Sequence, residues 1–95
     1  MKISDLKDGA SKVHVTAKVI EKGAPRDINT RDGRQTRVAN AVLEDESGTI
    51  VLTLWGDEID KLSEGDTVNI ENGYVKEWKG TLQLSVGKYG KMSVL

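Results

Sequence analysis

The stretch TIVLTLW, residues 49 to 55, decides the fold class because its side chains divide cleanly between alternate positions. Ile50, Leu52 and Leu54 share one set of positions, while Trp55 falls in the other set with the two threonines. Successive side chains of a β-strand point to opposite faces of the sheet. The stretch therefore predicts a strand with one aliphatic core face and a second face that carries a tryptophan.

Four further segments show the same two-residue period and predict strands. They are VHVTAKVIE (13–21), RVANAVLE (37–44), TVNIENGYV (67–75) and TLQLSV (81–86). In the fourth strand along the chain, Gly73 indicates a bulge or a close backbone approach that would re-aim Tyr74. Between residues 57 and 62, Ile59 and Leu62 lie three apart after a potential N-cap, Asp57, and so favour a short helix.

The segment KGAPRDINTRDGRQT (22–36) predicts a long basic loop, because it combines the only proline, an Asp-Gly turn pair and little periodicity. Five strands with a long loop between strands one and two and a short helix between strands three and four are typical of one all-β fold, the five-stranded Greek-key OB-fold barrel. An SH3-like barrel is the alternative, but it would use tight hairpins and would not explain the helix. Because 95 residues have room for one core, we expect a single domain over residues 1–95.

Charge is distributed unevenly along a chain whose formal net charge is −1. Residues 22–43 hold all four arginines and a net charge of +3, residues 44–71 a net charge of −8, and residues 72–95 a net charge of +3. The sequence has no cysteine, and its N-terminus has no apolar run of the length of a signal peptide or a membrane span. We therefore expect a cytoplasmic protein with no membrane partner.

The few aromatic side chains lie outside the predicted aliphatic core, which indicates that they serve a binding surface. Trp55 is placed on the threonine face of its strand, and Trp78 in the connection from strand four to strand five. An OB-fold binds oligomers across strands two and three, between the loop joining strands one and two and the loop joining strands four and five. The basic loop and the Trp78 loop are those two loops, so rings and cations are predicted to converge on one groove.

The predicted nucleic-acid-binding residues are three rings for base stacking, cations for phosphates, and two loop residues that contact a base or a sugar. The rings are Trp55, Tyr74 and Trp78, the cations are Arg26, Arg31, Arg37, Lys76 and Lys79, and the loop residues are Ile28 and Thr30. Arg34 is a further candidate, and for both Arg31 and Arg34, which flank the turn, the alternative is a solvated side chain without a phosphate contact. His14 is a lone outward histidine without metal-ligating neighbours in the sequence, so we expect no metal site, no cofactor, no small-molecule substrate and no catalytic site.

The stretches LEDESGTIVLTLWG (43–56) and IENGYVKEWKGTLQLSVGKYG (70–90) resemble the simple archaeal single-stranded DNA-binding proteins. These are related to the DNA-binding domains of replication protein A. The resemblance runs from about Ile3 to Gly90. It implies base stacking on Trp55, Tyr74 and Trp78 and strand contacts at Arg26, Ile28 and Thr30. It also implies that the ligand is DNA, whereas the residues themselves leave the choice between DNA and RNA open.

We therefore expect a non-enzymatic binder of single-stranded DNA with little sequence specificity, acting in DNA replication, recombination and repair with other replication or repair proteins as further partners. Two alternatives stay open. In one, the tryptophans form the hot spot of a protein-interaction OB domain in a larger replication complex. In the other, the same groove binds RNA. Family members often continue into a tail that recruits partners, whereas this chain ends at Leu95, which fits either a stand-alone protein or one domain of a longer one.

Overall fold

Alternating aliphatic and polar side chains build the strands of the computed structural model, which describes residues 2–29, 31–87 and 90–95. That part of the chain contains seven strands and two short 3-10 helices. The strands are β1 (Val13–Lys22), β2 (Arg26–Asn29), β3 (Gln35–Asp45), β4 (Gly48–Trp55), β5 (Thr67–Trp78), β6 (Thr81–Ser85) and β7 (Lys91–Val94), and the 3-10 helices are Ile3–Asp5 and Gly56–Lys61. Over the same residues, no helix has the length and apolar character needed to cross a membrane.

Five strands form a closed ring in the order β1, β3, β4, β6, β5 and back to β1. Neighbouring strands are antiparallel except β4 and β6, which run parallel with Val51 opposite Gln83 and Thr53 opposite Ser85. This strand order, with a 3-10 turn between β4 and β5, confirms the OB-fold prediction.

The interior of the ring is aliphatic, as the two-residue period predicts. Leu52 and Leu54 of β4 are completely buried, and Ile50 nearly so, whereas Trp55 is exposed. The buried hydrophobic side chains of the described residues include no aromatic ring. The sheet therefore has an aliphatic inner face and leaves its rings outside.

A bulge in β5 decides which way Tyr74 points. Ile70 and Gly73 are three residues apart, yet they oppose β1 residues that are only two apart, so β5 carries one extra residue. Within this bulge, Asn72 has a left-handed φ of 56°. Inward-facing positions consequently change from Ile70 to Gly73 and Val75, and Tyr74 turns outward. A Cβ added to Gly73 would lie 2.9 Å from the Ser85 carbonyl oxygen, which is the close backbone approach that the sequence indicates.

The predicted helix after Trp55 is a 3-10 helix, and the prediction of Asp57 as its N-cap is wrong. Ile59 and Leu62 are buried as expected. Trp55 itself precedes the helix, and its backbone N–H donates to the Glu58 carboxylate at 2.9 Å. The carboxylate thereby ties the start of the helix to the end of β4.

Two of the strands were not expected. Within the segment predicted as a loop, β2 pairs antiparallel with β3, with Arg26 opposite Val38 and Asn29 opposite Gln35. At the other end of the chain, β7 pairs with the first half of β5, and Val94 of β7 lies opposite Val68 of β5. The assignment of Trp78 to a connecting loop is also wrong, because Trp78 is the last residue of β5 and pairs with Thr81.

Asp45 anchors the N-terminal 3-10 helix to the turn between β3 and β4. Its carboxylate accepts hydrogen bonds from the Ser47 hydroxyl at 2.5 Å, the Ile3 backbone N–H at 2.8 Å and the Gly48 backbone N–H at 3.1 Å. These bonds, with the Ser47 hydroxyl foremost, lower the pKa of Asp45 from 3.8 to about 2. The ionised carboxylate is therefore the form that holds the two segments together.

Candidate nucleic-acid interface

Trp55 stands on the outer face of the ring at the end of β4. Its backbone is fixed on one side by pairing with Val38 and on the other by the hydrogen bond to Glu58. Its side chain shares parity with Thr53 and is 44% exposed. A half-exposed ring held on a strand is a rigid, flat and apolar surface, which is what the face of a nucleobase contacts in a stacking interaction.

A groove of about 600 Å³ is lined by Trp55, Trp78 and further residues, which together come from five strands, β2 to β6. We call it the Trp55–Trp78 groove. Trp78 is 63% exposed at its edge. The groove is lined by Arg26 and Ile28 of β2, Val38 and Asn40 of β3, Thr53 and Trp55 of β4, Trp78 of β5 and Gln83 of β6. Four of the sequence-predicted residues, Trp55, Trp78, Arg26 and Ile28, therefore lie in one concave surface.

A second depression, of about 590 Å³, shares Trp55 with the groove and is otherwise lined by residues of the β2–β3 hairpin. Arg31 and Arg34 line it with Trp55. Arg34 also pairs with Asp32, at 3.5 Å between Nε and Oδ2. Since Trp55 belongs to both depressions, the arginine hairpin and the Trp55–Trp78 groove form one continuous surface. Thr30, the remaining predicted residue of this hairpin, lies outside the described residues.

Tyr74 lies on the same outer face but does not line the Trp55–Trp78 groove. It pairs with Ser85, which pairs in turn with Thr53 of the groove. The tyrosine is 42% exposed, and its ring rests over the backbone of Gly87, where an added Cβ would lie 3.0 Å from Cε1. Tyr74 thus lies on β5, four residues before Trp78, at the position to which the β5 bulge turns it.

The cations that the sequence singles out are placed in different settings. Lys76 is exposed on the outer face of β5 opposite Gln83. The Lys79 ammonium lies 5.6 Å from the centroid of the Trp78 ring, within the range of a cation–π interaction. Arg37 pairs with Asp60 near the 3-10 helix, with 3.1 Å between Nη2 and Oδ2. Arg37 therefore lies outside both depressions, with its charge already partly balanced.

Sequence reasoning missed the polar floor of the groove, which consists of Asn40, Thr53 and Gln83. The Thr53 hydroxyl donates to Gln83 Oε1 at 3.4 Å, so the floor is connected across β4 and β6. The signal was present in the sequence, because Asn40 and Gln83 each alternate with aliphatic core residues on their strands. Their amide and hydroxyl groups add hydrogen-bond donors and acceptors to the groove.

The acidic side chains of residues 44–71 do not line this surface, although Thr53 and Trp55 of the same segment do. Among the described residues, the groove has no acidic lining residue and the second depression has one, Asp32. His14 lies on the outer face of β1, 3.8 Å from Glu71. Residues 2–29, 31–87 and 90–95 contain no group of three or more His, Cys, Asp or Glu side chains arranged to hold a metal ion.

Residues 6–94 match the family model described as "Single-stranded DNA binding protein Ssb-like, OB fold". Over 97% of its length the chain is 37% identical to the single-stranded DNA binding protein Ssb of Saccharolobus solfataricus, of which it spans 62%. Over 96% of its length it is 34% identical to replication factor A of Methanothermobacter thermautotrophicus, of which it spans 12%. It thus covers less than two thirds of either relative.

Among solved structures, the chain is similar to the second OB-fold domain of replication protein A from Methanococcus maripaludis. The TM-score is 0.83 at 27% identity, and the match covers 100% of this chain and 93% of that domain.

Proposed function

The chain belongs to the Ssb-like family of single-stranded DNA-binding OB-fold proteins, and from this premise we propose that it binds single-stranded DNA through the surface that contains Trp55. The observation that carries the proposal is the convergence of Trp55, Trp78 and Arg26 on one groove. Flat apolar rings beside a guanidinium match the alternating bases and phosphates of an unpaired strand. In a duplex the base faces are already stacked on each other and are not available to such rings.

Binding of this kind has little sequence preference, because every base presents a π-face to the rings. In this proposal Trp55 and Trp78 each stack on a base, and Tyr74 stacks on a further base beyond the groove. Arg26 and Arg31 neutralise phosphates on the hairpin side, and Lys76 and Lys79 do so on the β5 side. The proposed setting is the strand exposed during DNA replication, recombination and repair.

A fluorescence titration with a thymidine oligomer tests the proposal directly. We expect quenching of the tryptophan emission, because bases stack on two exposed indole rings. Trp55→Ala should weaken binding by about 1–3 kcal/mol, which is roughly 5- to 150-fold in Kd. Ile20→Ala is the matched control, since Ile20 is 42% exposed on β1, close to the 44% of Trp55, but does not line the groove. Unchanged emission at low salt with a folded protein would refute the proposal.

The salt dependence of the same titration reports on the cations. If three to four phosphates are neutralised, log Kd should rise with log salt concentration with a slope of about 2–3, at ~0.7 per phosphate on a single strand. A matched RNA oligomer belongs in the same experiment, because only the 2′-hydroxyl and the C5-methyl of thymine differ between the ligands. Tighter binding of the RNA would turn the proposal toward the RNA alternative.

A further inference from the structure

A third depression is not used by the proposed stacking residues, and it is lined both by outward positions of the strands and by Ile3, Ile50 and Leu82 from the edge of the core. It has a volume of about 440 Å³, within the ~300–1,000 Å³ usual for small-ligand pockets. Val42 of β3 and Val51 of β4, which are register partners, form part of its wall, and Thr81 of β6 forms another part. We call it the Val42–Val51 pocket. The residues that line it are aliphatic or carry a hydroxyl, apart from Gly80, and none is charged.

This pocket adjoins the Trp55–Trp78 groove along two registers. Val51 of the pocket pairs with Gln83 of the groove floor. Thr81 of the pocket pairs with Trp78 of the groove edge. Trp78 and Gln83 are therefore the boundary between the two depressions, and a strand that stacks on Trp55 and then on Trp78 is directed toward the pocket.

The chemistry of the pocket suits a nucleobase better than a phosphate. Valine side chains offer apolar contact to a base face, and the hydroxyls of Thr49 and Thr81 can bond to a base edge. Lys76 lies opposite Gln83 at the boundary and is exposed, so it can neutralise a phosphate that stays outside. Building on the proposed function, we propose that the Val42–Val51 pocket is a further nucleotide subsite that receives the base after the one stacked on Trp78.

The proposal fixes an order along the bound strand, namely Trp55, then Trp78, then the pocket. A scan of a thymidine oligomer of about 10 nucleotides with a single abasic residue at each position tests that order. In the wild-type protein an abasic residue should weaken binding about fivefold, which is ~1 kcal/mol, at the position that enters the pocket. The double variant Val42→Thr/Val51→Thr, which keeps the β-branched shape but replaces one methyl group of each valine by a hydroxyl, should reduce that penalty at that position alone.

Two more variants serve as a second test of the pocket and as a control. Thr81→Leu fills the pocket from a different strand at an exposed position and should remove the same penalty, even if the double variant folds poorly. Val94→Thr makes the same chemical change on the exposed β7 valine and should leave the scan unchanged. Parallel scans of Trp55→Ala and Trp78→Ala locate the positions of the two stacked bases.

The outcomes separate this proposal from the one on which it rests. Absence of oligomer binding by the wild-type protein would refute the proposed function itself. Binding in which no position couples to the pocket variants would leave the proposed function intact and overturn the subsite. A coupled position that falls between those of Trp55 and Trp78 would overturn the order, and with it the subsite.

Discussion

Substitution of Gly87 by alanine should weaken DNA binding by displacing Tyr74, without touching the ligand. A Cβ at Gly87 would lie 3.0 Å from Cε1 and 3.1 Å from Cδ1 of the Tyr74 ring. Ordinary van der Waals contact begins at 3.4 Å, so the ring must shift by a few tenths of an ångström or rotate. Gly87 also has φ +78°, and a side chain there costs about 1–2 kcal/mol of folding stability.

The expected loss of affinity follows from the stacking role proposed for Tyr74. A stacked base is worth ~1–3 kcal/mol, and a displaced ring should lose part of that amount. We expect a loss of about 1 kcal/mol, which is a fivefold increase in Kd for a thymidine oligomer. Fluorescence titration measures the affinity, and urea unfolding of the same samples measures the cost in stability.

Gly65→Ala is the matched control, because it has φ +91° and no atom within 4 Å of its added Cβ. It should lose similar stability and keep its affinity. A double-mutant cycle with Tyr74→Ala then isolates the mechanism. If Gly87→Ala acts through the ring, it has no further effect on binding once the ring is gone. A folded Gly87→Ala variant that binds like the wild type would refute the role assigned to Tyr74, as would an undiminished effect in the Tyr74→Ala background.

Two further predictions concern charge. Arg26→Ala should reduce the salt slope by about 0.7, whereas Arg37→Ala should change it less, because Arg37 pairs with Asp60 outside the groove; equal reductions would contradict this placement. Because the pKa of Asp45 is lowered from 3.8 to about 2, its stabilising contribution is present above pH 3.8 and lost as the pH falls through about 2. Asp45→Asn should therefore be less stable than the wild type at neutral pH and lose less stability between pH 4 and pH 2 in urea titrations; parallel profiles would disprove the anchoring role.

The ring of strands could be predicted from the sequence because its core face is aliphatic and regular. The positions of Leu52 and Leu54 follow directly from the two-residue period, and both are fully buried. The short strand β2 could not be found in this way. It is an extension of the hairpin with β3, and of its residues only Ile28 is even partly buried, so no buried face leaves a period in the sequence.

The placement of the side chains on the proposed binding surface could be predicted in part. The predictions differ in whether they depend on one strand or on contacts between distant segments. The outward position of Trp55 depends on parity within one strand, which the sequence records. The pairing of Arg37 with Asp60 depends on where the 3-10 helix packs, and no local pattern contains that information. The orientation of Tyr74 lies between these cases. Gly73 indicated a bulge, but the extra residue is placed before it, at Asn72, by pairing with β1.

Because the core is aliphatic, the exposed aromatic rings can be replaced without disturbing its packing. In the described residues every aromatic ring is at least 42% exposed, and none belongs to the buried core. Replacing such a ring removes binding surface while leaving the packing of Leu52, Leu54 and their neighbours intact, whereas a buried ring would cost ~3–5 kcal/mol of stability on truncation to alanine. In the proposed function, affinity therefore depends on the outer face of these strands and stability on the inner face. This separation is what allows ring substitutions to be interpreted as effects on binding rather than on folding.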